Sequence, residues 1–312
     1  MSNEKRTILI CDDSPVDRIL IRGLLGHDDS LAISECGDGL AAMTHLRKHP
    51  VDLVVADLAM PNMNGLELVR EIKNNWPLLP VVLVTGFGSE EAAAEALRSG
   101  AASYSPKSAL ACDLARTINF VLDVARHSRP SRNASPKAAD QTAASMQTGT
   151  AGHFLENDSR LIGPLIEHLQ ELLPEWSESD RLQIGMAVAE ALTNAMHHGN
   201  LEISSDLRRD NDTEYHQAIQ TRRCQNPWSA RRVEITTSVG KDEFRIRVRD
   251  EGPGFDQSKI PDPTEPENLS RLCGRGLYLI RSFMDHVQYS GNGNEIEMVK
   301  RRSQDSNCAE DN

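Results

Sequence analysis

Five short apolar runs, separated by spacers of helical periodicity, fill the first 127 residues and leave the chain few ways to fold. The runs are Thr7–Cys11, Leu31–Glu35, Asp52–Ala56, Val81–Val84 and a weaker one at Ala102–Ser105. Helical patterns follow them near Pro15–Leu25, Leu40–Lys48, Gly65–Asn74, Glu90–Arg98 and Leu110–His127. Strands joined by helices need right-handed crossovers, which build a parallel sheet. The expected unit is a doubly wound, five-stranded α/β domain over residues 5–127. With strand order 2-1-3-4-5, its ligand site falls at the carboxyl ends of the strands.

From about Ser128 the pattern dissolves into Ser, Ala, Pro, Gln and Thr, which cannot bury a core and reads as a flexible linker over 128–151. A second unit is expected over 152–302. It opens with helical patterns at Asp158–Leu173 and Ser179–His198, the latter with Gly199 as its stop signal. A polar, arginine-bearing segment, Ser204–Ala230, reads as a solvated excursion. Period-2 strands follow at Val233–Ser238 and Glu243–Arg249, then a helix at Gly276–Met284. A hairpin of His286–Ser290 and Glu295–Val299, turned by Gly291-Asn292-Gly293, completes an α+β sandwich. Residues 303–312 read as a disordered tail.

The net charge of −12 argues against direct nucleic-acid binding and against a polybasic membrane anchor, because both need a basic face. No apolar run approaches the ~20 residues of a spanning helix, and the opening MSNEKRTILI lacks a signal peptide's apolar core. The six cysteines include no CxxC pair, as expected of reduced thiols in a cytoplasmic protein.

Asp12 and Asp13 end the first strand and Asp57 the third, so the predicted topology brings three carboxylates to one crevice. Crowded carboxylates repel unless a cation neutralises them, and a hard oxygen-seeking ion such as Mg²⁺ fits. Thr85 ends the fourth strand and Lys107 follows the fifth; a hydroxyl and an ammonium there can hold the oxygens of a phosphoryl group on Asp57. An acidic pair at one strand end is usually a solvated loop; five suitable residue types at successive positions of one topology are not. These residues, with Met60-Pro61…Gly65 and Thr85-Gly86, resemble the response-regulator receiver family over about residues 5–127. The resemblance implies phosphorylation at Asp57, Mg²⁺ on Asp12, Asp13 and Asp57, signalling through Thr85, and Tyr104 as an aromatic switch. Ser108 follows Lys107 where many members have proline.

In the second unit Glu190, Asn194 and His198 fall on one helix face, with Leu182, Met186, Ala189 and Met196 turned to a core. A carboxamide oxygen at Asn194 can ligate Mg²⁺, and a carboxylate at Glu190 can take a proton from an attacking hydroxyl. A polar helix stripe alone is usually a solvated face. Here it precedes Asp250-Glu251-Gly252-Pro253-Gly254-Phe255 after a strand and Cys273-Gly274-Arg275-Gly276-Leu277 opening a helix. An aspartate can accept from an adenine amino group, and a glycine-opened helix N-terminus suits phosphates.

The three segments resemble the N, G1 and G2 boxes of the histidine-kinase-like ATPase fold, over about residues 152–302. Glu190-Ala191-Leu192-Thr193-Asn194-Ala195-Met196-His197-His198-Gly199, and a short lid at Asp262–Leu269, are most similar to anti-sigma-factor serine kinases. The resemblance implies ATP on Asn194, His198, Asp250, Gly252, Gly254, Gly274, Arg275 and Gly276, Mg²⁺ on Asn194, and Glu190 as base. Implied partners are an upstream histidine kinase, an anti-sigma-factor antagonist and a sigma factor; a homodimer stays open. Two other readings compete: a switched module that binds ATP and captures a partner without phosphotransfer, and a hybrid histidine kinase. The second would need His153 or His168 on a helical hairpin, and the sequence between linker and N box has room for one short helix.

Overall fold

The structure is a computed structural model that describes residues 5–26, 28–86, 90–128, 151–204, 207, 212–256 and 275–303. The linker residues 129–150, the lid, Cys273, Gly274 and the tail after Ser303 lie outside the described residues.

The N-terminal unit alternates β1 (Arg6–Cys11), α1 (Pro15–Leu25), β2 (Leu31–Cys36), α2 (Gly39–Leu46), β3 (Leu53–Asp57), α3 (Gly65–Asn75), β4 (Val81–Thr85), α4 (Glu90–Arg98), β5 (Ser103–Pro106) and α5 (Leu110–Ser128). The sheet is parallel, in the order β2-β1-β3-β4-β5. β3 and β4 are buried along their whole length, as strands covered on both faces must be. Local signals set the helix starts. Ser14 caps α1 ahead of Pro15, Asp38 caps α2, and Asn64 with Glu67 forms a capping box on α3. The Lys107–Ser108 bond is trans, since the one cis peptide among the described residues is Asn226–Pro227.

The C-terminal unit is a five-stranded antiparallel sheet in the order β6-β7-β8-β10-β9. Its strands are β6 (Ala151–Leu155), β7 (Val233–Val239), β8 (Glu243–Arg249), β9 (His286–Ser290) and β10 (Glu295–Arg301). Helices α6 (Ile162–Glu171), α7 (Glu178–Asn194), α8 (Asp212–Arg223) and α9 (Arg275–Phe283) complete it. Phe244, Ile246 and Val248 of β8 face the helices. Arg245, Arg247 and Arg249 line the outer face and pair with Glu243, Glu234, Glu295 and Glu297.

Three expectations change. The helix through the N box does not stop at Gly199: α7 gives way to a π-helical turn, Ala195–Asn200, that carries the chain past the glycine. The pattern at Asp158–Leu173 is a 3-10 turn (Ser159–Leu161) followed by the shorter α6. Segment Ser204–Ala230 is not a solvated excursion. Leu201, Ile203, Tyr215 and Ile219 form a small buried core of their own, flanked by Trp228.

The two units share one apolar core. Helix α5 packs on the N-terminal sheet and also against α6 and α7, and α4 packs against α9. His127 at the end of α5 lies 2.7 Å from Glu167 of α6. A Cβ added to Gly185 of α7 would lie 2.7 Å from Ser128 Oγ and 3.4 Å from Val124 of α5. Gly185→Val is therefore expected to destabilise the whole chain by about 1–3 kcal/mol through overpacking, measured as a lower urea midpoint. An unchanged midpoint would contradict close packing of α5 on α7.

Candidate functional site

At the carboxyl edge of the first sheet, Asp12, Asp13 and Asp57 offer oxygens that lie within 4.8 Å of one another. Asp12 and Asp57 are buried and Asp13 is exposed. Ser14 N–H donates to Asp12 (2.8 Å) and Ala59 N–H to Asp57 (3.0 Å), so both carboxylates are aimed by their own following turns. Lys107 Nζ stands among them, 3.2 Å from Asp12, 3.0 Å from Asp57 and 2.6 Å from Asp17. Burial works against the ammonium, but the hydrogen bonds to Asp17 and Asp57 and the charges of Asp57 and Asp12 outweigh it and hold its pKa well above the ordinary lysine range. Burial also raises the Asp12 carboxyl, opposed by the Ser14 N–H, and the Asp57 charge adds to the rise. Three acidic groups this close, two of them buried, fit a hard divalent cation such as Mg²⁺, with Lys107 balancing part of the charge. Thr85 lies buried at the end of β4, one residue past Val84, the register partner of Asp57, and Tyr104 lies buried on β5.

The second site is a cleft between α7, α9 and the sheet, lined by Asn194, His198, Gly199, Asp250, Phe255 and Tyr289 among others. A larger cavity of about 470 Å³ lies at the far end of the first sheet, beside Trp76, Pro77 and His49, away from both clusters of polar residues. Asp250 follows β8, and its carboxylate accepts from Gly252 N–H (2.8 Å). Burial pushes its pKa up to about 6, the Gly252 hydrogen bond opposing. Gly199 and Gly252 meet across the cleft floor; a Cβ on Gly199 would overlap the Asp250 carboxylate, and one on Gly252 the Gly199 carbonyl. Gly254 turns the chain with φ 75°, a conformation side chains resist. Glu190 reaches the start of α9, where a Cβ on Gly276 would overlap its carboxylate. Glu190, Asn194, His198, Asp250, Gly252, Gly254 and Gly276 are thus brought together. Gly274 and the Arg275 side chain lie outside the described residues.

The π-helical turn explains how the floor is held. Asn200 is buried; its Oδ1 accepts from Glu251 N–H (2.7 Å) and its Nδ2 donates to Asn157 (2.8 Å). His197 lies between Tyr215 of α8 (2.8 Å) and Ser159 (3.0 Å). Arg231 donates to Asn200 O (2.8 Å), and Arg222 to Leu201 O and Glu202 O. The polar insertion therefore braces the turn that carries His198 and Gly199. Such π-turns recur at functional sites because they re-aim a helix end.

Comparison with known proteins identifies both halves. A response regulator receiver domain matches residues 8–119, and a histidine kinase-like ATPase domain matches residues 155–300. The chain is a receiver joined to a histidine kinase-like ATPase domain. It is similar to the transcriptional regulatory protein ZraR of Klebsiella oxytoca, 37% identical over 33% of this chain and 23% of that protein. The ZraR of Salmonella typhimurium is 30% identical over 53% of this chain and 36% of that protein. This chain thus spans about a quarter to a third of the curated relatives named here. A receiver domain structure from Clostridium thermocellum covers 36% of this chain and 91% of its own, at 29% identity and a TM-score of 0.35. Among the described residues, no helix is long and apolar enough to cross a membrane.

Two residues of these sites went unremarked in the sequence. Asp17 of the receiver binds Lys107 from the first turn of α1, five positions after Asp12. Asn200 of the ATPase domain follows the His-His-Gly run directly, and its role depends on a strand fifty residues on. Asp250 yields a pH test. Its folded-state pKa lies above the unfolded value, so its stabilising effect is full below about pH 4 and is lost as pH rises through about 6. Compared with Asp250→Asn, the unliganded protein is expected to lose about 1–3 kcal/mol between those pH values. Parallel urea-stability curves for the two proteins would contradict the buried carboxyl.

Proposed function

We propose that this protein is a two-component regulator in which phosphorylation of Asp57 controls an ATP-dependent serine/threonine kinase acting on an anti-sigma-factor antagonist. In the receiver, Asp57 takes the phosphoryl group from the upstream kinase. Asp12, Asp13 and Asp57 would hold Mg²⁺, which supplies neutralising charge to the transferring group. Lys107 and Thr85 hold the phosphoryl oxygens, and Thr85 and Tyr104 pass the change to α4.

In the ATPase domain, Asp250 accepts a hydrogen bond from the adenine amino group, and the start of α9 at Gly276 receives the phosphates. Asn194 would hold a second Mg²⁺. The Glu190 carboxylate takes the proton of a serine or threonine hydroxyl as its oxygen attacks the γ-phosphorus and ADP leaves. The observation that carries this reading is the Glu190 carboxylate set directly against Gly276, one helical turn from Asn194, which lines the same cleft as Asp250. A base beside a phosphate-binding helix start has a use in transfer and none in mere capture. Control by the receiver is supported by α4 packing on α9, the helix that begins at this point.

The test incubates the full chain with ATP and a candidate antagonist. Acid-stable phosphate on serine or threonine is expected, and Glu190→Gln should slow transfer by roughly 10²–10⁴ while ATP still binds. Antagonist captured tightly but never phosphorylated would overturn the kinase and favour a switched binding module.

A further inference from the structure

Two thiols lie side by side beneath the acidic crevice. Cys11 ends β1 and Cys36 ends β2, and the two are register partners across the parallel pair. Their sulfurs are 2.9 Å apart. Cys11 is fully buried and Cys36 half-buried, so an oxidant from solvent meets Cys36 first. Neighbouring strands run about 4.8 Å apart, inside the roughly 4.4–6.8 Å Cα separation that disulfides span. Closing the sulfurs to a bond of about 2.05 Å needs about 0.9 Å of approach. The two strands differ in freedom. β1 is held between β2 and β3, whereas β2 is the sheet edge, and Gly37 after Cys36 has open space around it. The movement falls on β2.

That movement reaches the cation ligands from both sides. Cys11 precedes Asp12, whose N–H donates to Cys36 O at 3.3 Å. Asp38, two residues past Cys36, caps α2 and accepts from Asn62 (2.8 Å) in the turn that follows Asp57. We propose that Cys11 and Cys36 are a modification site, oxidised by hydrogen peroxide to a reversible disulfide that weakens Mg²⁺ binding at Asp12, Asp13 and Asp57. The step balances. The Cys36 sulfur attacks one peroxide oxygen and leaves as a sulfenic acid with release of water. The Cys11 thiol then attacks that sulfur, forming the S–S bond and releasing a second water. Two thiols are oxidised and one peroxide is reduced to two waters. A dithiol reductant reverses it. The consequence rests on reading the crevice as a cation site.

The experiment uses the full chain with Cys112, Cys224, Cys273 and Cys308 replaced by serine, and a second version that adds Cys36→Ser. Intact mass and non-reducing peptide maps follow treatment with hydrogen peroxide, and calorimetry follows Mg²⁺ binding. The first protein is expected to lose two hydrogens in a Cys11–Cys36 peptide and to bind Mg²⁺ roughly tenfold more weakly, as when a ligand's supporting shell is disturbed. Dithiothreitol should restore both, and the Cys36→Ser version should keep its affinity through peroxide treatment. Stable sulfinic acid at Cys36 with no cross-link would overturn the proposal, as would a cross-link that leaves Mg²⁺ affinity unchanged. Reduced protein that binds no Mg²⁺ would instead overturn the reading of the crevice.

Discussion

The packing of α5 holds the molecule together. This helix buries residues around most of its circumference, among them Leu114, Ile118, Val121, Leu122, Val124 and Ala125. A helix apolar on more than one stripe must be covered on more than one side. One side lies on the receiver sheet and the other on α6 and α7 of the ATPase domain. The result is a single core, and with it a fixed seat for α4 on α9. Without that seam the acidic crevice and the nucleotide cleft would be independent sites joined by a linker.

The two sites solve opposite electrostatic problems. In the receiver, buried like charges are kept together by Lys107, by backbone hydrogen bonds and by the Asp17 carboxylate that anchors the lysine. The arrangement is poised for a cation and a dianion to complete it. In the ATPase domain the Asp250 carboxylate sits in a glycine-walled floor, where burial pushes it up to about 6. A group so placed gains most from a neutral hydrogen-bond donor, and an exocyclic amine is one. The insertion around Tyr215, Arg222 and Arg231 packs beside this floor. It fixes the turn against which that floor is built.

Much of this was legible in the residues. The receiver's strands and helices come from periodicity, its caps from Ser14, Asp38 and Asn64, and its crevice from carboxylates at strand ends, so topology alone assembled the cluster. What stayed hidden depends on distant partners. β6, which reads Ala-Gly-His-Phe-Leu, continues the small-residue composition of the linker and becomes a strand only because β7 offers it an edge. The π-turn past Gly199 is held by Asn157, Tyr215 and Arg231, none of which a local stop signal takes into account. The seam was hidden for a similar reason: the periodicity of α5 gives an apolar helix but not the second surface it covers.

If α4 and α9 transmit the state of Asp57 to the cleft, the two ligands must be thermodynamically linked. The most direct measurement is the ATP dissociation constant of the full chain, with and without saturating beryllofluoride and Mg²⁺ as the phosphoryl mimic. Coupling through the shared core predicts a change of roughly 5–150-fold, matched by an equal change in beryllofluoride affinity when ATP is present. Identical ATP affinities in the two states would contradict it.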